Sequence, residues 1–102
     1  MDKKIKIIVK DPGNIPHFEW ISDTLDSYRD IVGGYIEAVT LTTDFAILCN
    51  EEGRLMDLPY NCEIAGIDFV GTIIGVGVKG EEFADVPVSM DDFRNCIEGG
   101  EL

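Results

Sequence analysis

The run from Gly33 to Asn61, GGYIEAVTLTTDFAILCNEEGRLMDLPYN, restricts this chain to folds in which a helix feeds an antiparallel hairpin. Gly33-Gly34 stops a helix, because glycine enters the left-handed C′ conformation without a Cβ penalty. Tyr35 to Thr42 is rich in β-branched residues, and Phe45 to Asn50 is almost wholly apolar. With Thr43-Asp44 as a tight connection, the two read as a hairpin near the centre of a sheet. Glu51-Glu52-Gly53 is turn chemistry with Gly53 as its positive-φ residue. Arg54 to Pro59 leaves the sheet, and Tyr60 to Glu63 reads as irregular chain or one helical turn.

The flanks supply partners for that hairpin. Lys4 to Lys10 alternates as a strand, with Ile5, Ile7 and Val9 on one face. Asp11-Pro12-Gly13-Asn14 is a turn. Ile15 to Ile21 reads as a second strand, with Pro16 at its start or on a sheet edge. Ser22 reads as a helix N-cap, followed by an apolar stripe of Ile21, Leu25, Tyr28 and Val32. Later, Val70 to Val78 reads as a strand. Its Gly71, Gly75 and Gly77 call for a bulge, strong coiling or something packed against the backbone. Glu82 to Val88 adds a short edge strand. Ser89 caps a last helix, Met90 to about Ile97, which Gly99-Gly100 ends. These elements predict one α+β domain over residues 1–102: a mostly antiparallel sheet of five or six strands with one or two helices packed on one face. Ile5, Ile7, Val9, Leu25, Tyr28, Val32, Val39, Leu41, Ile47, Ile73 and Phe93 are the expected core.

Charge narrows the function classes. The chain has 20 acidic and 8 basic residues, a net −12. That balance opposes a direct grip on nucleic-acid phosphates and on anionic membranes. It suits a protein that repels itself, or one whose partner is basic. The basic residues crowd the start (Lys3, Lys4, Lys6, Lys10). The acidic excess grows toward the end (Glu81, Glu82, Asp85, Asp91, Asp92, Glu98, Glu101). Cys49, Cys62 and Cys96 are far apart and form no C-x-x-C pair, which reads as reduced thiols in a cytosolic protein. The start of the chain lacks a signal-peptide pattern, and no apolar run has the length of a membrane span.

Several constellations bear two readings each. Asn50, Glu51, Glu52, Arg54 and Asn61 bracket a strand end, either as solvated turn chemistry or as readers of a small anionic or amide-bearing ligand. Tyr35 and Glu37, two apart on a strand, share a face. They line a pocket with Arg54, or pair across strands on a half-exposed surface. Trp20 or Phe18 stacks a nucleobase, or belongs to the core or an interface. His17 has no sequence-visible nucleophile or orienting partner. No catalytic residue, metal ligand set or cofactor motif is assigned. The Gly71–Gly77 run lacks the ending of a phosphate loop.

The pair V-G-G-Y-I-E and N-E-E-G-R-L-x-x-L-P-x-N, with the later V-G-T-I-I-G-V-G strand, resembles a family of small uncharacterised domains. Its members occur in bacteria, phages and other mobile elements, near antirestriction-type genes. Asp57 stands where that resemblance has glycine before L-P. The resemblance implies a mobile-element context and a bacterial host cytosol. Two expectations follow. In the first, a non-enzymatic counter-defence protein binds and sequesters a small nucleotide-like signal through Tyr35, Glu37, Asn50, Arg54, Asn61 and Trp20, with a homo-oligomer interface as one place for the site. In the second, an acidic interaction module or nucleic-acid mimic covers a basic surface on a host protein.

Overall fold

The computed structural model describes residues 3–97. Its strands are β1 (Lys4–Lys10), β2 (His17–Ser22), β3 (Ile36–Thr42), β4 (Phe45–Asn50), β5 (Tyr60–Ile64), β6 (Ile67–Val70), β7 (Ile73–Lys79) and β8 (Glu82–Ala84). The helices are α1 (Leu25–Val32), between β2 and β3, and α2 (Met90–Ile97), after β8. The main sheet runs β2-β1-β7-β4-β3, every pair antiparallel, with β8 pairing the end of β7. β5 and β6 form a separate hairpin.

The α+β class and the mostly antiparallel sheet are as the sequence implies. The helices, however, take opposite faces. α1 carries the chain from β2 at one edge to β3 at the other, so it crosses a whole face. There Tyr28 and Val32 pack with Ile5, Ile7, Val9, Ala46, Leu48, Ile74 and Val76. α2 and the β5–β6 hairpin cover the other face, with Phe93, Cys96, Cys62, Ile64 and Phe69 against Ile8, Phe45, Ile47, Cys49 and Ile73. Both faces are buried, which explains why β4 is apolar at nearly every position instead of alternating.

The centre of the sheet is the glycine-rich β7, and the β3–β4 hairpin lies to one side with β3 at the edge. The glycines of β7 serve close packing. A Cβ on Gly75 would lie 3.0 Å from the Phe93 ring and 3.4 Å from the Phe45 ring. A Cβ on Gly77 would collide with the Asp85 carbonyl. Phe93 and Phe45 meet edge to face at 6.3 Å over that glycine floor.

Local corrections have local causes. The cap of α1 is Thr24, whose Oγ1 accepts from the Ser27 amide at 3.2 Å, while Ser22 ends β2. The helix therefore begins at Leu25, whose side chain stays about half exposed, and the burial starts a turn later at Tyr28. Gly33 takes the left-handed cap (φ 82) as expected. Gly53 has no positive φ. It is needed because a Cβ there would lie 2.9 Å from the Val70 side chain, and the left-handed residue of that turn is Asp57 (φ 54). Tyr60 to Glu63 is neither irregular nor helical: it is strand β5, turned into β6 by Ala65 (φ 53) and Gly66 (φ 79). Ser89 caps α2, its Oγ accepting from the Asp92 amide at 3.1 Å. Gly99-Gly100 lies outside the described residues.

A candidate ligand cleft between the sheet edge and the second hairpin

The side-chain alternation of β3 puts Glu37 and Val39 on the face that β5–β6 covers, opposite Cys49 and Ile47 in register. The hairpin does not close down fully on this edge. A cleft of about 230 Å³ remains between β3–β4 and β6, with the 51–57 turn at one end. Val39, Cys49, Phe69 and Val70 contribute its apolar lining, and Glu37, Glu51, Arg54 and Asp68 its charged groups. Leu55 (85 % exposed) and Ile67 stand at the mouth.

Arg54 is anchored but not consumed. Its Nη2 donates to the Asp68 carbonyl at 2.9 Å, which leaves the other guanidinium donors free for a ligand in the cleft. The Cys49 thiol is pushed up to about 11, by burial first and the Glu37 carboxylate second. It is a neutral lining group at ordinary pH, with its Sγ 3.7 Å from the Glu37 carbonyl. At the outer edge, the Tyr60 hydroxyl donates to the Asp68 carboxylate at 3.2 Å. Desolvation, then this carboxylate, raises the phenol's pKa.

Glu37, Asn50 and Arg54 therefore meet at one cleft. Asn50 contributes wall, because its amide is fully engaged. Its Nδ2 donates to the Val32 carbonyl at the end of α1 (3.2 Å), and its Oδ1 accepts from the Glu52 amide (2.8 Å). Tyr35 lies elsewhere, its ring 4.7 Å from the Arg29 guanidinium in a shallow hollow with Asp30, Gly33 and Gly34. Trp20 is on β2, at the opposite edge of the sheet, and 62 % exposed.

Asn61 is a structural clamp. It is buried, its Nδ2 donates to the carbonyls of Lys10 (2.8 Å) and Gly71 (2.7 Å), and its Oδ1 accepts from the Lys10 ammonium at 2.8 Å. One amide thus ties β5 to β1 and to the entry of β7. A second concavity of about 330 Å³, between the β3–β4 turn and α2, was not foreseen from the sequence. Thr42, Asp44, Asp92, Asn95 and Cys96 line it. Its residues come from segments some fifty positions apart, so no local motif marks it. The three cysteines are all buried free thiols. Among the described residues, no group of three His, Cys, Asp or Glu side chains is arranged to hold a metal, and no helix is long and apolar enough to cross a membrane.

Fold and cleft define a small α+β domain with a pocket at the edge of a two-sided sheet. The chain belongs to the family described as a domain of unknown function, DUF3846, which it matches over residues 5–98. No curated protein and no solved structure matches it.

Proposed function

We propose that this chain is a non-enzymatic binding protein whose β3–β6 cleft takes a small nucleotide-like molecule carrying few negative charges. The observation behind this reading is the convergence of Glu37 and Arg54 on one cleft with an apolar lining. A flat ring packs against Val39 and Phe69. The Glu37 carboxylate accepts the paired N–H groups of an amidine-like base edge, and Arg54 offers its remaining donors to a phosphate. Three carboxylates (Glu37, Glu51, Asp68) face one guanidinium at the cleft, so a monophosphate or cyclic nucleotide fits the local charge better than a triphosphate. Sequestration needs only binding, and this chemistry suits a phage or mobile-element accessory protein that removes a host signal in the cytosol. Thermal-shift titration with nucleoside monophosphates and cyclic nucleotides tests the reading. Stabilisation of the wild type by at least one of them, lost in both Arg54→Ala and Glu37→Gln, is the expected result. No shift with any of these ligands would sink it.

A second reading rests on a separate observation. The salt bridges among the described residues are Lys3–Asp23 and His17–Glu19, so most carboxylates of this −12 chain have no cationic partner. Such a surface suits docking onto a basic protein. Affinity for that partner would fall steeply with salt, whereas binding in the cleft would change little.

A further inference from the structure

The part of the β1–β2 hairpin that α2 and the β5–β6 hairpin leave uncovered carries a pattern that the cleft does not use. Lys4, Lys6 and Lys10 project to the same side of β1 by strand alternation. In register beside them on β2, Trp20 pairs with Lys6 and Phe18 with Ile8, so both rings stand on that same face. Trp20 is the chain's only tryptophan, and at 62 % exposed it is part of no core. Phe18 is 38 % exposed, and the Lys6 ammonium sits 4.3 Å above its ring centroid. Beyond Phe18 the strip ends in a cavity of about 160 Å³ shared by Lys10, Asn14, Ile15, Pro16, Arg94 and Ile97. The Lys10 ammonium there is held by oxygens of neutral groups, Asn61 Oδ1 at 2.8 Å and the Asp11 carbonyl at 3.4 Å. Lys4 likewise donates to a hydroxyl, Ser22 Oγ at 3.2 Å. None of Lys4, Lys6, Lys10 and Arg94 is in a salt bridge among the described residues. The Asp85 carboxylate, which lies beside Lys6, accepts the Lys6 backbone amide at 2.8 Å.

We propose that this face binds a short single-stranded nucleic acid, with bases stacked on Trp20 and Phe18 and phosphates on Lys4, Lys6 and the exposed Arg94, while the buried Lys10 ammonium stays on Asn61. The alternation decides the class of partner. Flat aromatic faces and ammonium groups follow one another along the strand, as bases and phosphates do along a single strand, and every base offers a ring face. An acidic peptide would satisfy the cations but leave the exposed rings without a matching surface. Duplex DNA would bury its base faces in its own stack. From Lys4 to Lys10 the strip extends about 20 Å at about 3.4 Å per residue, room for a run of roughly four nucleotides. The net −12 of the whole chain opposes longer strands, which makes a short footprint the electrostatically allowed one.

The single tryptophan supplies the measurement. Oligothymidylate of eight nucleotides, titrated into the intact chain at low salt, should quench Trp20 fluorescence. The affinity should fall with salt at a log–log slope of about −2, as expected for three phosphate contacts to a single strand. Anisotropy of the labelled oligonucleotide should show binding weakened about tenfold by Trp20→Leu and further by the double variant Lys4→Glu, Lys6→Glu. Arg54→Ala should leave it unchanged, which keeps this site separable from the cleft. Absence of quenching and of an anisotropy change would overturn the proposal. Equal binding of poly-glutamate or heparin, or oligonucleotide binding that survives Trp20→Leu undiminished, would overturn it as well. Circular dichroism of the variants guards against loss of fold, and Lys6→Gln serves as the milder charge change.

Discussion

Two polar constellations lie at opposite ends of the 51–61 segment, and they differ in what their hydrogen bonds leave over. At Asn61 the amide has both donor hydrogens on backbone carbonyls and its oxygen on the Lys10 ammonium, all buried. At Arg54 one guanidinium nitrogen rests on the Asp68 carbonyl, and the rest of the fork faces an open cleft. A saturated, sealed group can only hold the fold together. A positioned group with donors to spare can bind something. The two look alike in the sequence, where each is a polar residue near a turn.

Substitution at the two ends should separate these roles. Asn61→Leu leaves the Lys10 and Gly71 carbonyls without this donor and the Lys10 ammonium with only the Asp11 carbonyl at 3.4 Å, and should cost about 3 kcal/mol. In a domain of this size that lowers the melting temperature by about 15 °C in calorimetry. Arg54→Ala should change stability by less than about 0.5 kcal/mol, since the group is exposed, and should remove only ligand stabilisation. A large loss of stability from Arg54→Ala, or none from Asn61→Leu, would break the comparison.

Gly77→Ala tests close packing at the end of β7 away from the clamp. The added methyl meets the Asp85 carbonyl, and the cost should be about 2 kcal/mol in urea denaturation.

On the cleft side, pH offers a subtler test. Burial raises the folded-state pKa of Cys49 from 9.0 to about 11, with Glu37 adding to the effect. A raised folded pKa means that the unfolded state loses its proton first. This stabilising contribution is therefore complete below pH 9.0 and is lost as pH rises toward about 11. Tyr28, raised by burial and by its hydrogen bond to Asp23, works in the same direction on the other face. Cys49→Ser should flatten the alkaline fall in stability measured between those pH values.

One small expected effect is a gain. Ala65 holds φ 53 at the β5–β6 turn, a region that costs a Cβ-bearing residue. Ala65→Gly should stabilise by about 0.5–1 kcal/mol, after the extra chain entropy of glycine is subtracted. Asp57→Gly should gain less, because aspartate tolerates the left-handed region better than alanine does.

Much of the fold was legible because its signals are local. Lys4–Lys10, Phe45–Asn50 and Met90–Ile97 fall where alternation, apolar runs and caps put them. Gly33 acts as the cap its position implies. The β5–β6 hairpin escaped notice because its turn uses Ala65, a residue that gives no turn signal, at a position where glycine or asparagine would have given one. Gly75 and Gly77 carried a hint of close packing, but not the identity of what packs there, the Phe93 ring on the first and the Ala84–Asp85 backbone on the second. At the site, Glu37 and Arg54 were legible as unusual charges near a strand end, while the surroundings of Tyr35, Asn61 and Trp20 were not. Those of Asn61 depend on strands far away in the chain, those of Trp20 on its place in the sheet order, and those of Tyr35 on how the end of α1 turns Arg29 back over its ring.

The sequence by itself determined the class of the domain, its strand and helix periods and its charge, because these depend on neighbours a few residues apart. Tertiary structure alone decided which polar groups are sealed and which are open. Lys10 and Asn61 lie 51 positions apart, and only the packing of β5 across the sheet brings them to 2.8 Å and shuts out water. The same packing stops short of β3, and there it leaves the Glu37–Arg54 cleft open.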